Sequence, residues 1–143
     1  MSRPTPATRD GFKLYRTFAT RWSDNDVYGH VNNTVYYGWF DSAVNAWLLE
    51  RGLLDIMNGD PIALVVETRC TYHGSLAFPE DVEVGIAVAQ VGTSSVRYRV
   101  GVFGAGQVSA AAEGEFVHVA VDRTSRRPVP WPQEWREAFA AIS

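Results

Sequence analysis

Asp24-Asn25-Asp26-Val27-Tyr28-Gly29-His30-Val31-Asn32-Asn33 crowds two carboxylates, an imidazole and a pair of adjacent amides into one short stretch, with Tyr36 close behind. A carboxylate there can draw a proton from water as a general base, or attack an electrophilic carbon itself. Where such a loop runs into a helix, the first turn adds unpaired N–H groups and the positive end of the helix dipole, both suited to an oxyanion. These are the parts of acyl hydrolysis. Asp, Asn and Gly are also the usual residues of capped turns, and residue chemistry alone leaves both readings open.

The flanking sequence predicts a strand before this loop and a helix after it. From Lys13 to Trp22, residues alternate between Leu14, Arg16, Phe18, Thr20, Trp22 and Tyr15, Thr17, Ala19, Arg21, the period of a strand. Ser23 to Asp26 then favours a turn. From about Asn33 to Arg51 the period becomes helical, with Tyr36, Phe40, Ala43, Val44, Trp47 and Leu48 on one side. Asn32 or Asn33 can cap that long helix and Gly52 can end it. Beyond Pro61, four segments rich in Val and aromatic residues read as strands: Ile62 to Tyr72, Asp81 to Val91, Ser95 to Phe103 and Gln107 to Val121. Gly104-Ala105-Gly106 reads as a hairpin turn, Pro128, Pro130 and Pro132 end the sheet, and Gln133 to Ile142 fits a short helix. The expected class is α+β, five antiparallel strands with one long helix over a face, in a single domain spanning 12–143 after a flexible tail at 1–11. One helix leaves much sheet uncovered, so a homodimer that extends the sheet is expected.

Composition narrows the function. At 143 residues, 46% hydrophobic and 20% charged, the chain fits one globular domain and neither a disordered nor a collagen-like protein. A net charge of -3 gives no global attraction to nucleic acid or to an anionic membrane, so neither is an expected partner. Cys70, the lone cysteine, excludes an internal disulfide and a cysteine-rich zinc site. No apolar run reaches the ~20 residues of a membrane span, and Met1 to Gly11 is polar with Pro4 and Pro6, so a cytoplasmic protein is expected.

Arg21-Trp22-Ser23-Asp24-Asn25-Asp26, then Gly29-His30-Val31-Asn32-Asn33 and Tyr36, resembles the opening motif of the 4-hydroxybenzoyl-CoA thioesterase family of hotdog-fold acyl-CoA thioesterases. The likeness continues through Tyr36-Tyr37-Gly38-Trp39-Phe40-Asp41, the Tyr72 strand, Pro79-Glu80-Asp81-Val82, Val119-Ala120-Val121-Asp122 and Arg127-Pro128. It implies a hotdog fold, a five-stranded antiparallel sheet wrapped around the helix. It also implies dimers with a continuous ten-stranded sheet, often paired into homotetramers, and sites at the dimer interface. Carried over by position, Asp26 is the catalytic carboxylate and the Asn33 N–H polarises the thioester carbonyl, while His30, Asn32 and Tyr36 shape the pocket. Asp24 becomes a turn residue. Asp41 is the rival acid, because a related hotdog clade places its carboxylate at a comparable helix position; Asp26 with His30 also resembles, more loosely, the pair in hotdog enoyl-CoA hydratases. The chain departs from the family around His73-Gly74-Ser75, where a proline often sits.

Other candidates carry less. Arg97 and Arg99 share a strand face and could meet CoA phosphates, although such pairs also serve as solvated faces. Arg123, Arg126 and Arg127 form a basic cluster that can equally be loop charge. His73 and His118 lack ligand-spaced partners, so no metal is expected. Gly101 to Gly106 opens no helix and is not a dinucleotide fingerprint. Cys70 in a strand reads as packing. The expected activity is hydrolysis of an acyl-CoA thioester to acid and CoA, with no cofactor beyond the CoA of the substrate; the alternative is a non-catalytic module that binds acyl-CoA or acyl-carrier ligands.

Overall fold

A computed structural model describes residues 4–143. In chain order the elements are β1 (Leu14–Ala19), α1 (Asn33–Glu50), β2 (Ile62–Tyr72), β3 (Asp81–Val91), β4 (Ser95–Gly104), β5 (Ala112–Val121) and α2 (Gln133–Ala141). The strands form one antiparallel sheet in the order β1-β3-β4-β5-β2. Alternation decides its faces. Val82, Val84, Ile86, Val96, Tyr98, Val100, Val102 and Phe116 are buried toward α1, which meets them with Tyr36, Phe40, Val44, Trp47 and Leu48. Gly114 lets the helix come close, since a Cβ there would stand 3.0 Å from the Phe40 ring and 1.8 Å from the Arg69 carbonyl oxygen. The 18-residue helix thus lies on the middle of the sheet, and α2 closes the core at one end through Trp135, Ala138 and Phe139. No helix among the described residues is long and apolar enough to cross a membrane.

Two strand boundaries differ by more than one residue from those the sequence predicts. The first strand stops at Ala19 and not at Trp22, because Trp22–Asp24 winds into a 3-10 turn. The last strand starts at Ala112 and not at Gln107; Gln107 to Ala111 instead carries contacts to the N-terminal segment, with Thr8 bridging Ser109 and the Ala110 N–H donating to the Ala7 oxygen at 2.9 Å. Within the expected tail 1–11, the segment from Ala7 onward thus contacts the sheet, and residues 1–3 lie outside the described residues. Arg9 donates to Glu83 at 2.9 Å and to the Gln107 oxygen at 2.6 Å. Phe12 fills a slot over Gly85 and Gly101, where a Cβ would stand 2.9 and 2.5 Å from its ring. Two glycines inside strands make that slot, and a periodicity reading sees them only as weak strand residues.

The two sheet edges differ. On β1, Arg16 pairs with Glu50 at the end of α1, a charge that blunts strand addition. On β2, Leu64, Val65 and Val66 are exposed, and the register shifts between Val65 and Glu67.

The loop from β1 to α1 is anchored by a buried acid. Asp24 is 2% exposed, so an uncompensated charge there would be costly. Its carboxylate accepts the Arg21 N–H at 2.8 Å and the Arg21 Nε and Nη2 at 3.1 and 2.9 Å, and its main-chain oxygen accepts the Asn32 N–H at 2.8 Å. Asp24→Ala is expected to lower unfolding stability by about 2 kcal/mol, the scale of a lost cap and stranded hydrogen bonds. Asp26→Asn should stay within about 0.5 kcal/mol of wild type. Urea unfolding of both variants checks the contrast.

His118 is 2% exposed between Tyr98 and Phe116, and its Nδ1 meets no partner among the described residues. Burial pulls its pKa down to about 4. The unfolded chain then binds the proton more readily, so the stability from a neutral His118 is whole above pH ~6.5 and is lost as pH falls toward 4, by at most about 3 kcal/mol. His118→Leu should flatten the acid limb of stability against pH by that order; parallel limbs would contradict it.

Candidate active site

Beyond the Asp24 anchor the chain pinches into a small loop. Asn25 bridges Val31, the Asp26 N–H donates to the His30 oxygen at 2.8 Å, and the Gly29 N–H returns to the Asp26 oxygen at 3.1 Å. Gly29 has φ +82°, a conformation glycine adopts without penalty. Asp26 Oδ1 accepts the Tyr28 N–H at 2.8 Å, fixing the carboxylate on its own turn. A second segment braces the loop from the side: the Val31 N–H donates to the Leu76 oxygen at 2.8 Å, and Asn25 Oδ1 accepts the Phe78 N–H at 3.1 Å. Helix α1 then starts from Asn32, whose Oδ1 caps the Thr34 N–H at 3.0 Å. Asn33 is the first helical residue, so its N–H has no acceptor within the helix.

These residues enclose a cleft of about 260 Å³ lined by Asp26, His30, Asn32, Asn33 and Tyr36. The far wall is Tyr72, Gly74 and Ser75. The Tyr72 hydroxyl donates to the Asn33 oxygen at 2.8 Å, and the rings of Tyr36 and Tyr72 meet edge to face at 5.1 Å. Burial pushes the Tyr36 phenol up to about 12, and burial together with Cys70 and Tyr37 raises Tyr72 further. Both stay neutral hydroxyls at any physiological pH. Burial also pushes the Cys70 thiol up to about 11, so it is no thiolate nucleophile at neutral pH. The chemical inventory of the cleft is one half-buried carboxylate, an exposed imidazole, neutral phenols and an amide at a positive helix end.

The structure thus brings together five of the residues singled out by sequence. Asn32 is a cap first, its oxygen spent on Thr34. Arg97 and Arg99 are not part of this cleft: they alternate with Tyr98 and Val100, which face the core, and so project from the opposite face of the sheet. There Arg97 bonds Glu67 at 2.9 Å and also Glu115, while Arg69 bonds Glu115 at 2.7 Å. Burial pushes Glu115 up, and the guanidiniums of Arg97 and Arg69 overcome that and hold it below the usual carboxylate range. Arg99 donates to the Gly11 oxygen at 3.2 Å. Asp41 lies exposed on α1, about 12 Å along the axis from Asn33, and accepts from Asn45 at 3.0 Å. Arg123 fastens the loop before β2 through the Gly59 and Ile56 oxygens at 3.0 and 3.1 Å. Gly74 and Ser75, in the stretch where the chain departs from the family, are walls of the cleft. The tie that places them, from Val31 to Leu76, is a main-chain contact that no residue type announces.

A larger groove of about 390 Å³ runs on the β1 side of α1, between Phe18, Val35 and Trp39, with Arg21 at its border. Arg21 is its only ionisable lining residue, so it offers no acid or base.

The sequence pattern of the thioesterase-like superfamily matches residues 20–139. Among solved structures, the PA5185 protein of Pseudomonas aeruginosa strain PAO1 is 51% identical, with 98% of this chain and 97% of that one covered and a TM-score of 0.93. The PA2801 protein of the same species, named as a proposed thioesterase, is 28% identical over 87% of this chain and 96% of that one, with a TM-score of 0.82. Slr0204, a 1,4-dihydroxy-2-naphthoyl-CoA thioesterase from Synechocystis, shares the fold at 18% identity, with 88% and 94% covered and a TM-score of 0.79. The acid-and-amide loop and four of the five strands lie inside the matched span, with β1 just before it, and the chain belongs to the thioesterase-like superfamily.

Proposed function

We propose that the protein hydrolyses an acyl-CoA thioester to a carboxylic acid and CoA at the Asp26–Asn33 cleft. The observation that carries this reading is the convergence of one half-buried carboxylate and one free helix-end N–H on the same cavity. The thioester carbonyl oxygen points at the Asn33 N–H, and the Asp26 carboxylate faces the carbonyl carbon. As base, Asp26 takes a proton from water while the water oxygen bonds to that carbon. The oxyanion gathers charge against Asn33, an interaction stronger in the transition state than before it. Collapse re-forms the carbonyl, breaks the C–S bond and expels the CoA thiolate, which takes up the proton held by Asp26. As nucleophile, Asp26 would instead form an acyl anhydride that water opens. Single turnover in ¹⁸O-water separates the two, since only the anhydride route can leave label in the protein. Tyr36 and Tyr72, both neutral, border the acyl group, and His30 sits at the rim. Neither metal nor redox cofactor enters the scheme.

In this reading the working unit is a homodimer, alone or paired into a homotetramer, formed by adding β2 of one copy to β2 of the next. What supports it is the open apolar edge at Leu64, Val65 and Val66 on the strand that ends at Tyr72, a cleft wall. The cleft then lies beside the subunit seam.

Release of CoA from a panel of acyl-CoA esters tests the chemistry. Asp26→Asn should cut kcat by at least about a hundredfold, the scale of a lost general base, with acyl-CoA binding retained. Asp41→Asn should stay within about twofold. Loss of turnover in Asp41→Asn alone would move the acid to the helix, and a wild type that binds thioesters and hydrolyses none would make the chain a binding module.

Lys at both Val65 and Val66 tests the assembly. By analytical ultracentrifugation the wild type should sediment at two or four times its 15.9 kDa chain mass and the double variant at one. Activity should fall with the mass.

A further inference from the structure

Trp22 has no evident work in the fold, for it is 77% exposed while Trp39, Trp47, Trp131 and Trp135 are buried. Its backbone is nonetheless fixed. It opens the 3-10 turn whose end, Asp24, is buried and bound to Arg21. Its indole stands edge to face with Phe78 at 6.0 Å, and Phe78 is itself held by the bond from its N–H to Asn25. The residue before Trp22, Arg21, has a side chain that is 74% exposed. Asp24 engages its Nε and Nη2, and its Nη1 makes no hydrogen bond among the described residues. An aromatic face on a fixed backbone and a half-engaged guanidinium, carried by consecutive residues, therefore both stand in water.

We propose that Trp22, with Phe78 as its side wall and Arg21 as its cation, receives the nucleotide end of a CoA thioester, the adenine stacking on the indole and a phosphate meeting Arg21; this rests on the acyl-CoA reading of the cleft. Both parts of the platform belong to segments that line the cleft. Trp22 lies four residues before Asp26 and Phe78 three after Ser75, so the platform stands within about 14 Å of the acid along one segment and about 11 Å of the wall along the other. The pantetheine and diphosphate arm between a thioester and its adenine bridges such a gap. The acyl group cannot be the occupant, because its carbonyl must lie at Asn33 inside the cleft. A saturated chain would use the ring and leave the guanidinium idle, whereas a planar base carrying phosphate uses both. An acyl group on a carrier protein brings pantetheine without adenine, so the platform selects free CoA esters.

The test compares Trp22→Ala, Trp22→Phe and wild type on an acyl-CoA and on the matching acyl-N-acetylcysteamine thioester, which lacks the nucleotide. Losing one base–aromatic stack should raise KM for the acyl-CoA roughly tenfold with kcat held. The penalty should be confined to the nucleotide-bearing substrate, and Trp22→Phe should recover most of it. Calorimetry with adenosine 3′,5′-bisphosphate should show binding to wild type that weakens by a similar factor in Trp22→Ala. Equal KM in Trp22→Ala and wild type, or a wild type that does not bind the bisphosphate, overturns the platform and leaves hydrolysis standing. A fall in sedimentation mass in Trp22→Ala overturns it too, since the indole would then be a subunit contact. Bisphosphate bound through Trp22 by a wild type that hydrolyses neither ester keeps the platform and removes hydrolysis.

Discussion

A charge taken out of water organises this protein. Asp24 is buried, and such a carboxylate is tolerated only when its oxygens are satisfied. Arg21 satisfies them from one side, through its N–H and its guanidinium, and the Asn32 N–H reaches the Asp24 main-chain oxygen from the other. Strand end and helix start are thereby clipped together across the loop, and whatever the loop carries is delivered to the mouth of α1. Asp26, two residues on, has the same side chain in a half-exposed setting, with one oxygen engaged by its own turn. Two aspartates of identical intrinsic chemistry are set apart by their surroundings, one as an anchor and the other, in the proposed reading, as the reagent.

What the sequence disclosed, and what it withheld, follows from the range of the interactions involved. Periodicity is local, so the helix from Asn33 and the strands from Ile62, Asp81 and Ser95 start where the pattern places them. The Asp24–Asn33 cluster is local too, which is why the residues that meet at the cleft could be picked out together. Contacts between distant segments were not. Alternation put Arg97 and Arg99 on one face, and only the inward placement of Tyr98 and Val100 decides that it is the face away from the cleft. The docking of Ala7 to Phe12 depends on Gly85 and Gly101 lying side by side under one ring, a coincidence of register between β3 and β4. Gly74 and Ser75 reach the cleft through a main-chain bond that any residues could make.

The edges of the sheet tell a consistent story about assembly. An unpaired strand offers its N–H and C=O groups to any passing chain, and natural sheets guard against this. Here β1 is guarded by the inward Arg16 paired with Glu50. On β2 the same position in the architecture is apolar and open over Leu64 to Val66. In the proposed homodimer the bare edge is the one that takes the partner strand. Because Tyr72 at the end of that strand also bonds Asn33, any partner strand laid along β2 would abut the residues that shape the cleft.

Rigidity behind the amide is the last link from packing to chemistry. A donor stabilises an oxyanion in proportion to how little it must reorganise, and a single such donor is worth ~3 kcal/mol when held in place. Asn33 cannot drift along the helix axis, since Phe40 rests on Gly114, Trp47 on Tyr98 and Phe139, and Tyr36 on Trp39 and Tyr72. Nor can the helix start fray easily, with Asn32 capping it and the Tyr72 hydroxyl holding the Asn33 oxygen. The turn that follows the acid is built otherwise: Val27 and Tyr28 at its tip are almost fully exposed and carry no packing. The amide is therefore preset by the core while the acid rides on a small turn beside it. Of the two groups that line the cleft, the amide rests on the packed core and the acid on a turn held by its own main-chain hydrogen bonds.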